Sequence, residues 1–439
     1  MAARRLLVLL VVLAALAVPA GVLRAACAGK SCAETVAAPR VPFCPLPDWM
    51  KSDIAAGYRE ERSPDVLGVP ERSGLSSGPS AAPWPSVADG PNAADVPIVF
   101  AGAGIDPSAA VPVGTTLDAI APTIAEAIDL RRPHPDVRSG VAIPGVANGE
   151  RPTLIVEVAL EGVGTADISE HRSRWSFLLH LRRTGAGTLA GGTGSLPLDP
   201  TAILTTIGTG GLPDQHGMTG ALIRNDDGRV VTAWGDGSPP SVIATLADDL
   251  DEWTANAARV GLVAPTISDR GLIGGTWYPD APKDDLAILP DAAADPLPAV
   301  RTILLRGYGT DAVPDVLGVV LNGRTHAAAD AQLRAVAEAA TRAANDRAMI
   351  VVTGTGSTRD SLGGATSMLA QVEDAVPGEP HVVSGTVPGG VFLDQQVMAD
   401  QHISGELVVD AMLRATAADG SALFRDAFQG FAVSFERYC

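Results

Sequence analysis

Basic residues are scarce in this chain, and lysine is nearly absent. The only lysines are Lys30, Lys51 and Lys283, and 32 Lys and Arg residues stand against 50 Asp and Glu residues, giving a formal net charge of −18. A nucleic-acid partner requires a basic face, so the composition argues against a nucleic-acid-binding function, and we predict no nucleic-acid partner. At 439 residues and 46% hydrophobic, the chain is long enough to bury a large core in one or two domains.

Cysteine is also rare, and two motifs of metal, redox or phosphate sites are missing. The four cysteines are too scattered for a zinc ribbon, and the chain has no C-x-x-C and no G-x-x-x-x-G-K-[ST] loop. An even number of cysteines in an exported chain favours disulfides. Cys27, Cys32, Cys44 and Cys439 allow three pairings, and we predict that Cys44 pairs with Cys439 and ties the two ends of the chain together.

The longest apolar run lies at the N-terminus. Arg4 and Arg5 precede apolar residues 6–23, and small residues follow, which is typical of a signal peptide. The run is also nearly long enough to span a bilayer without cleavage. We therefore predict an extracytoplasmic protein, either secreted or anchored by this segment. Residues 1–28 form the signal or anchor, 29–59 a tether and 60–439 a single domain, with no membrane contact beyond the N-terminal segment.

Short apolar runs alternate with amphipathic stretches along the predicted domain. Such alternation is typical of a mostly parallel sheet covered on both faces, so we predict a three-layer α/β/α fold. The predicted strands are residues 64–69, 96–101, 152–159, 230–234, 300–305, 316–321, 348–352 and 430–435. The predicted helices are residues 48–58, 116–128, 174–184, 201–206, 241–258 (capped by Ser241), 327–344, 362–375 and 405–417.

Two local patterns carry little functional information. Residues 64–69 and 314–319 share the sequence Pro-Asp-Val-Leu-Gly-Val, which we attribute to chance between two buried strands. Acidic residues cluster at Asp248, Asp249, Asp251 and Glu252, but without the glycine-punctuated loop of a calcium site. We interpret this cluster as a solvated acidic face of a helix.

One loop resembles a known family. Residues 209–217 read T-G-x-x-P-x-x-H-G, with His216 near the end. This order resembles the loop after the nucleophile helix in the alkaline phosphatase superfamily, most closely its phosphodiesterase/nucleotide pyrophosphatase branch. Other segments are similar to the family's core strands: residues 158–162 to the first, 314–326 to the strand and D-x-x-G-H loop, and 349–356 to the strand ending in S-D-H-G.

The order of these segments differs from that of the family. Residues 95–105 and 118–123 resemble the "VPIVF" strand and "DIAPT" helix that close the family's domain, yet here they come before the first core strand. Residues 60–150 thus resemble the C-terminal unit and 151–439 the N-terminal and central part. We predict a circular permutation, which would fail if the strand at 96–101 lay in a different sheet from the strand at 349–352.

The resemblance implies a two-metal site, and most of its positions are altered here. The family's nucleophile position falls on Pro200, with Thr201 one residue away. The first strand ends in Glu161 instead of Asp, and Asn322 replaces the Asp of D-x-x-G-H while His326 is kept. Gly354 and Thr355 replace the Asp and His of S-D-H-G, and Asp95 is the carboxylate nearest to the expected last histidine.

These changes favour a protein whose two-metal centre has decayed. Thr201 and His216 are then vestigial catalytic candidates, and Glu161, Asn322, His326 and Asp95 vestigial metal ligands. The resemblance implies that His216 is mainly structural, and His326 alone fits a partner for a helix N-terminus. We predict a non-catalytic binding or scaffold protein of the cell envelope, with no cofactor and an unknown ligand or envelope protein as partner. The alternative is a phosphodiesterase or phosphatase with a rebuilt site, using zinc or another divalent metal.

Overall fold

A seven-stranded sheet forms the centre of the protein. The computed structural model describes residues 41–73, 84–275, 277–278, 283–323, 325–357, 368–376, 382–387, 389–417 and 419–439. The compact unit comprises Pro42–Cys439. The strands are β1 Val66–Pro70, β2 Asp95–Gly102, β3 Leu154–Glu161, β4 Ala186–Gly192, β5 Leu222–Arg224, β6 Val230–Thr232, β7 Val260–Ala264, β8 Asp285–Ile288, β9 Asp315–Asn322, β10 Ala348–Gly354, β11 Val383–Val387, β12 Gly390–Leu393 and β13 Phe424–Gln429.

Helices cover both faces of this sheet. The helices that the structure describes are α1 Asp48–Gly57, α2 Ile120–Ala127, α3 Thr165–Glu170, α4 Ser176–Thr184, α5 Pro200–Thr209, α6 Pro213–His216, α7 Leu246–Trp253, α8 Leu297–Leu304, α9 His326–Ala343, α10 Met368–Ala375, α11 Gln395–Gln401 and α12 Gly405–Arg414, of which α10, α11 and α12 pack on the second sheet described below. Ile155 and Ala159 of β3 share one core with α2, α5 and α7, whereas Val156 and Val158 share another with α4, α8 and α9. Since successive side chains of a strand point to opposite faces, these two cores confirm the predicted three-layer α/β/α fold.

The central sheet is mostly parallel, in the order β4-β2-β10-β3-β9-β7-β8. The pairs β10–β3, β3–β9, β9–β7 and β7–β8 are parallel, and β2 runs antiparallel to both β10 and β4. The strand predicted at 96–101 therefore pairs directly with the strand predicted at 349–352. The two strands thus lie in the same sheet, and the circular permutation would have been excluded if they lay in different sheets.

A second, four-stranded sheet was not predicted. Its order is β11-β12-β1-β13, and every neighbouring pair is antiparallel. Helices α10 and α12 contribute Val372, Val408 and Met412 to its core. The sheet joins distant parts of the sequence, because β1 lies between two strands from the C-terminal region.

Three predicted elements are wrong. Residues 300–304 belong to helix α8, where Val300, Ile303 and Leu304 are buried at helical spacing, and Leu305, directly after the helix, is 88% exposed. Residues 430–435 lie in a 3₁₀ helix, Gly430–Tyr438, directly after strand β13. The helix predicted at 241–258 is shorter and is capped by Thr245, not Ser241. Apolar residues alone do not distinguish a short strand from one face of a helix.

The predicted Cys44–Cys439 disulfide is confirmed, with Cα atoms 5.1 Å apart. Part of the predicted tether, residues 42–59, packs against the domain: Phe43, Met50 and Ile54 lie in its core.

Residues 1–40, with Cys27 and Cys32, and the start of the helix predicted at 362–375 lie outside the described residues. None of the helices that the structure describes is long and apolar enough to cross a membrane.

Candidate functional site

Three neighbouring parallel strands end at one edge of the central sheet. In the register of the sheet, Glu161 at the end of β3 lies beside Asn322 of β9, and Leu160 lies beside Gly354 of β10. Ligands of parallel α/β sheets bind outside this carboxyl edge. The fold thus brings together three of the positions that the family resemblance assigns to metal ligands.

The end of β10 has no room for a ligand side chain. A Cβ atom built on Gly354 would overlap the carbonyl oxygen of Val163. The hydroxyl of Thr355 accepts a hydrogen bond of 2.9 Å from the main-chain N–H of Gly162, so it holds the turn that follows β3. At the position of the family's Asp, Gly354 packs against the backbone of Val163. At the position of its His, the hydroxyl of Thr355 has a structural role.

His326 begins helix α9 and packs against other aromatic rings. Its ring centroid lies 4.8 Å from that of His171 and 5.4 Å from that of Trp175, and its Nε2 is 3.9 Å from Asp167 Oδ1. Burial lowers the pKa of His326, although the charge of Asp167 raises it. The ring is therefore held among side chains of α3 and of the segment that precedes α4.

The N-terminus of α5 is occupied by a carboxylate of the chain itself. Asp199 Oδ1 accepts hydrogen bonds from the N–H groups of Thr201 (2.9 Å) and Ala202 (3.4 Å), and its Oδ2 accepts one from Ala221 (3.1 Å). Pro200 is the first helical residue, and Thr201 is buried beside it. Burial raises the pKa of Asp199, and the three backbone hydrogen bonds lower it. Free N–H groups at a helix N-terminus attract anions, and here Asp199 takes that position.

This cap gives a testable prediction. We expect Asp199→Ala to lower the free energy of unfolding by about 2–3 kcal/mol, because it removes an N-cap and leaves buried N–H groups unpaired. Asp394 is a matched control: it caps α11 through Gln396 and Val397 in the same way, but α11 has no buried residue. We expect Asp394→Ala to cost about 1 kcal/mol or less, measured by urea denaturation. Equal losses in the two variants would contradict a special role for burial at Asp199.

His216 is a fully buried, neutral histidine. Its Nδ1 accepts the N–H of Met218 at 3.1 Å, which leaves the proton on Nε2 to bond with Thr206 Oγ1, also at 3.1 Å. Burial lowers the pKa of His216 to about 3. The ring ties helices α5 and α6 together, a structural role that agrees with what the resemblance implied.

Asp95 lies at the same edge of the sheet as Glu161. It is the first residue of β2, which runs antiparallel to β10, so its start lies where the parallel strands end. The side chain is half-buried, and burial raises its pKa. The main-chain oxygen of Asp95 packs closely against Gly164, where an added Cβ would lie 3.0 Å away.

Asp269 is a buried carboxylate that the sequence did not single out. It follows β7 in a short 3₁₀ helix, where its Oδ2 accepts the N–H of the capping residue Thr266 at 3.1 Å. Burial, and then the negative charges of Glu161 and Asp199, raise the pKa of Asp269 to about 8. The pattern T-x-x-D after the apolar run 260–264 is a capping-box signal that marks this position.

Three of the four acidic residues on α7, Asp248, Asp249 and Asp251, are buried and Glu252 is exposed, so the interpretation of the cluster as a solvated face was wrong. Asp249 Oδ2 lies 2.7 Å from Arg132 Nε and 3.3 Å from Arg138 Nη2. Asp248 caps the helix with Thr245. Both arginines come from a loop more than a hundred residues earlier in the chain. Buried charges are normally paired, and only the tertiary fold supplies these partners.

The two zinc ions that the family resemblance implies do not fit this site. Within the described residues, no group of three or more His, Cys, Asp or Glu side chains is placed to hold a metal ion. Gly354 and Thr355 supply no zinc ligand, Asn322 offers only an amide, and His326 packs in the ring cluster instead. Zinc prefers His nitrogen, Cys sulfur and carboxylate oxygen.

Comparisons with known proteins give structural matches alone. No protein-family model matches the chain, and no curated protein sequence is significantly similar to it. A mutant of the alkaline phosphatase PafA matches with a TM-score of 0.42 and 13% identity, over 60% of this chain and 76% of that one. Phosphonoacetate hydrolase from Sinorhizobium meliloti 1021, bound to phosphonoformate or phosphonoacetate, matches with a TM-score of 0.31 and 16% identity, over 47% of this chain and 58% of that one.

Proposed function

We propose that this chain is a non-catalytic binding protein of the cell envelope, built on an alkaline phosphatase-like fold that has lost its two-metal centre. The carrying observation is Gly354, where a Cβ would overlap the carbonyl oxygen of Val163. Two-metal catalysis needs ligands that place both ions a few ångströms apart. Because the backbone leaves no space for a side chain at this ligand position, a single substitution at Gly354 cannot restore the metal ligand.

The N-terminus of α5 supports the same proposal. In a phosphoryl-transfer enzyme of this type, a nucleophile at the helix start must face the phosphate. Here Pro200 has no nucleophilic group, and the Asp199 carboxylate accepts the N–H groups of Thr201 and Ala202. A phosphate approaching this helix end would meet a buried carboxylate.

The envelope location rests on the N-terminal segment and the disulfide. Apolar residues 6–23 after Arg4 and Arg5 are typical of an exported chain. Disulfides persist mainly in oxidising compartments, and Cys44 is bonded to Cys439.

The antiparallel pairing of β2 with β10 also favours a permuted origin, in which the family's closing strand has moved to the front.

The decisive experiment measures metal content and turnover. We expect the purified, exported protein to contain no stoichiometric zinc and to leave a generic phosphodiester unhydrolysed, with or without added zinc or manganese. Thr201→Ala should behave as the wild type in the same assay. Stoichiometric zinc together with turnover that is lost in Thr201→Ala would overturn the proposal.

A further inference from the structure

A group of basic side chains lies on helix α4 and the turn before it, although the chain as a whole is strongly acidic. Residues 171–184 contain four arginines, two histidines and no acidic residue, so they contribute +4 to a chain whose formal net charge is −18. Helix α4 buries three leucines in the core that it shares with β3 and α9, and it also carries the exposed His180 and Arg183. Arg172 and Arg174, in the 3₁₀ helix directly before α4, are exposed as well.

Helix α9 adds a fifth arginine to this group. Asp330 of α9 caps α4, because it accepts hydrogen bonds from the N–H groups of Phe177 and Leu178, both at 2.9 Å. One turn further along α9, the guanidinium carbon of the exposed Arg334 lies 5.1 Å from the ring centroid of Phe177. The ring of His180 lies 6.2 Å from the same ring. We call the exposed residues Arg172, Arg174, His180, Arg183 and Arg334 the basic face.

The arginines of the basic face have no carboxylate partner in the part of the chain that the structure describes. No Asp or Glu lies within ion-pair distance of them there, whereas Arg342 near the end of α9 lies 3.8 Å from Glu338. Exposed glutamates flank the face in sequence at Glu170 and Glu338. Arginine is suited to phosphate recognition, so these charges are available to an anionic group outside the chain.

We propose that the basic face docks the protein on an anionic lipid surface, with its arginines against the phosphate headgroups. Each basic residue close to an anionic bilayer strengthens binding by about fivefold. Charges more than about 8 Å away are largely screened at physiological ionic strength, so the acidic remainder of the chain opposes this contact only weakly. The contact adds to the one expected from the N-terminal segment, and the inference rests on the proposed envelope location.

A second copy of the chain suits this face less well than a lipid surface does. A two-fold symmetric dimer built on it would place the same basic patch of both copies together, and like charges repel. A head-to-tail contact closes only for particular rotations and otherwise continues into filaments. An acidic protein has the right sign of charge, and the experiment below separates it from lipid.

Vesicle binding of the purified, exported protein tests the proposal. Partitioning is measured by flotation with vesicles of phosphatidylcholine alone and with vesicles that contain about a third of phosphatidylglycerol, at about 50 mM and about 500 mM salt. Any binding through apolar residues is common to both kinds of vesicle. We expect a preference of at least about tenfold for the anionic vesicles at the lower salt concentration, and little preference at the higher one. Equal binding to both kinds at the lower salt concentration would overturn the proposal.

Charge variants locate the contact. The basic-face variant combines Arg174→Gln, Arg183→Gln and Arg334→Gln, and we expect its preference for anionic vesicles to fall by at least about tenfold. The matched control has the same change in net charge at three exposed arginines of the β5–β6 turn, α12 and β13: Arg229→Gln, Arg414→Gln and Arg425→Gln. We expect the control to bind as the wild type does. An equal loss in the control would overturn the proposal, because net charge alone would then explain the binding.

A lysine variant separates charge from folding. Replacing Arg174, Arg183 and Arg334 with lysine keeps the three charges, so most of the preference should remain, and near-UV circular dichroism verifies that the glutamine variant folds. A lysine variant as weak as the glutamine variant would contradict an electrostatic contact. Retention on immobilised polyglutamate without binding to anionic vesicles would overturn the lipid assignment in favour of an acidic protein partner.

The two proposals fail in different ways. Metal-dependent turnover would remove the non-catalytic function whatever the protein does on vesicles. An inactive, metal-free protein without a preference for anionic vesicles would leave that function in place and remove this inference alone.

Discussion

Replacing Glu157 with methionine is expected to stabilise the protein by about 3 kcal/mol at pH 8 and by much less at pH 5. Glu157 lies in the middle of β3, beside Gly318 of β9 and Val351 of β10, and both of its side-chain oxygens are buried without a hydrogen-bond partner. Burial raises its pKa to about 8, although the charge of Arg132 lowers it. Methionine has a similar length and fills irregular core space.

The direction of this pH dependence follows from the number of protons that the folded and unfolded states bind. A carboxyl whose pKa is about 8 in the folded protein and 4.5 in the unfolded chain binds more protons when folded between these two values. Stability therefore falls as pH rises from about 4.5 to about 8, and the penalty is complete above that range. Each pKa unit corresponds to about 1.4 kcal/mol, so ionising Glu157 in the core costs on the order of 4–5 kcal/mol. The expected gain is smaller, because a core substitution is rarely free of strain.

The control for this prediction is Glu126→Met. Glu126 is an exposed glutamate on α2, and surface substitutions usually change stability by at most about 0.5 kcal/mol. Urea denaturation at pH 5 and pH 8 measures both variants. A Glu157→Met variant that is less stable than the wild type, or whose gain does not depend on pH, would contradict the prediction.

The whole protein should show the same trend. Burial raises the pKa of Asp269 to about 8 and that of Asp251 to about 7, so each of them favours the folded state more at low pH. His216 acts in the opposite direction below pH 6.5, because its pKa is lowered to about 3 and the unfolded chain takes up its proton first. Three carboxyls, counting Glu157, outweigh one histidine, so these groups predict that stability keeps rising as the pH falls, to a maximum near pH 4, where the unfolded carboxyls also take up protons.

Removing the Cys44–Cys439 disulfide is expected to lower the free energy of unfolding by about 3–5 kcal/mol. The two cysteines are 395 residues apart, so the bond closes a loop of nearly the whole described chain in the unfolded state. In the loop-entropy model this constraint is worth about 6 kcal/mol, and measured losses are usually smaller. The joined segments also pack together: Phe43 N–H donates to Asp426 Oδ2 at 2.8 Å, and the rings of Phe43 and Phe428 are 5.1 Å apart. We expect these contacts to remain when the covalent bond is removed, which makes the expected loss smaller than the loop-entropy value.

The measurement compares the wild type with a Cys44→Ala, Cys439→Ala double variant. Urea denaturation of each protein is recorded with and without a reductant. The wild type should lose stability on reduction, and the double variant should be insensitive to the reductant. A double variant as stable as the oxidised wild type would show that noncovalent contacts alone hold the two ends together.

Much of the central sheet was predictable from local sequence. The strands β2, β3, β9 and β10 are short, nearly continuous apolar runs, and buried parallel strands have this appearance. Helix α9 was predictable from its alanine-rich amphipathic pattern, and α4 from the apolar face closed by Gly185. Strand β7, with only Val260–Ala264, was missed, and so was Asp269 after it. Two of the five residues of β7 are glycine and alanine, which are depleted in strands, so its local strand signal is weak.

The candidate site was predictable only in part. Residue identities alone showed that Pro200, Asn322, Gly354 and Thr355 depart from the family pattern. They did not show that Gly354 has no space for a side chain, since the obstructing oxygen belongs to Val163 of another segment. Nor did they show that Asp199 fills the start of α5. Both facts depend on distances between backbone segments, which no local pattern encodes.

The repeated hexapeptide separates what the sequence determined from what the tertiary structure decided. Pro-Asp-Val-Leu-Gly-Val forms a strand in both places, because its apolar, β-branched residues favour a buried strand in either context. In β1 it pairs antiparallel with β12 and β13 of the small sheet, and in β9 it lies parallel between β3 and β7. The local sequence thus determined that a strand forms. The tertiary structure decided which strands it pairs with, because the pairing depends on which distant segments the rest of the chain brings alongside. The chemistry at the edge of the central sheet depends on the tertiary structure for the same reason.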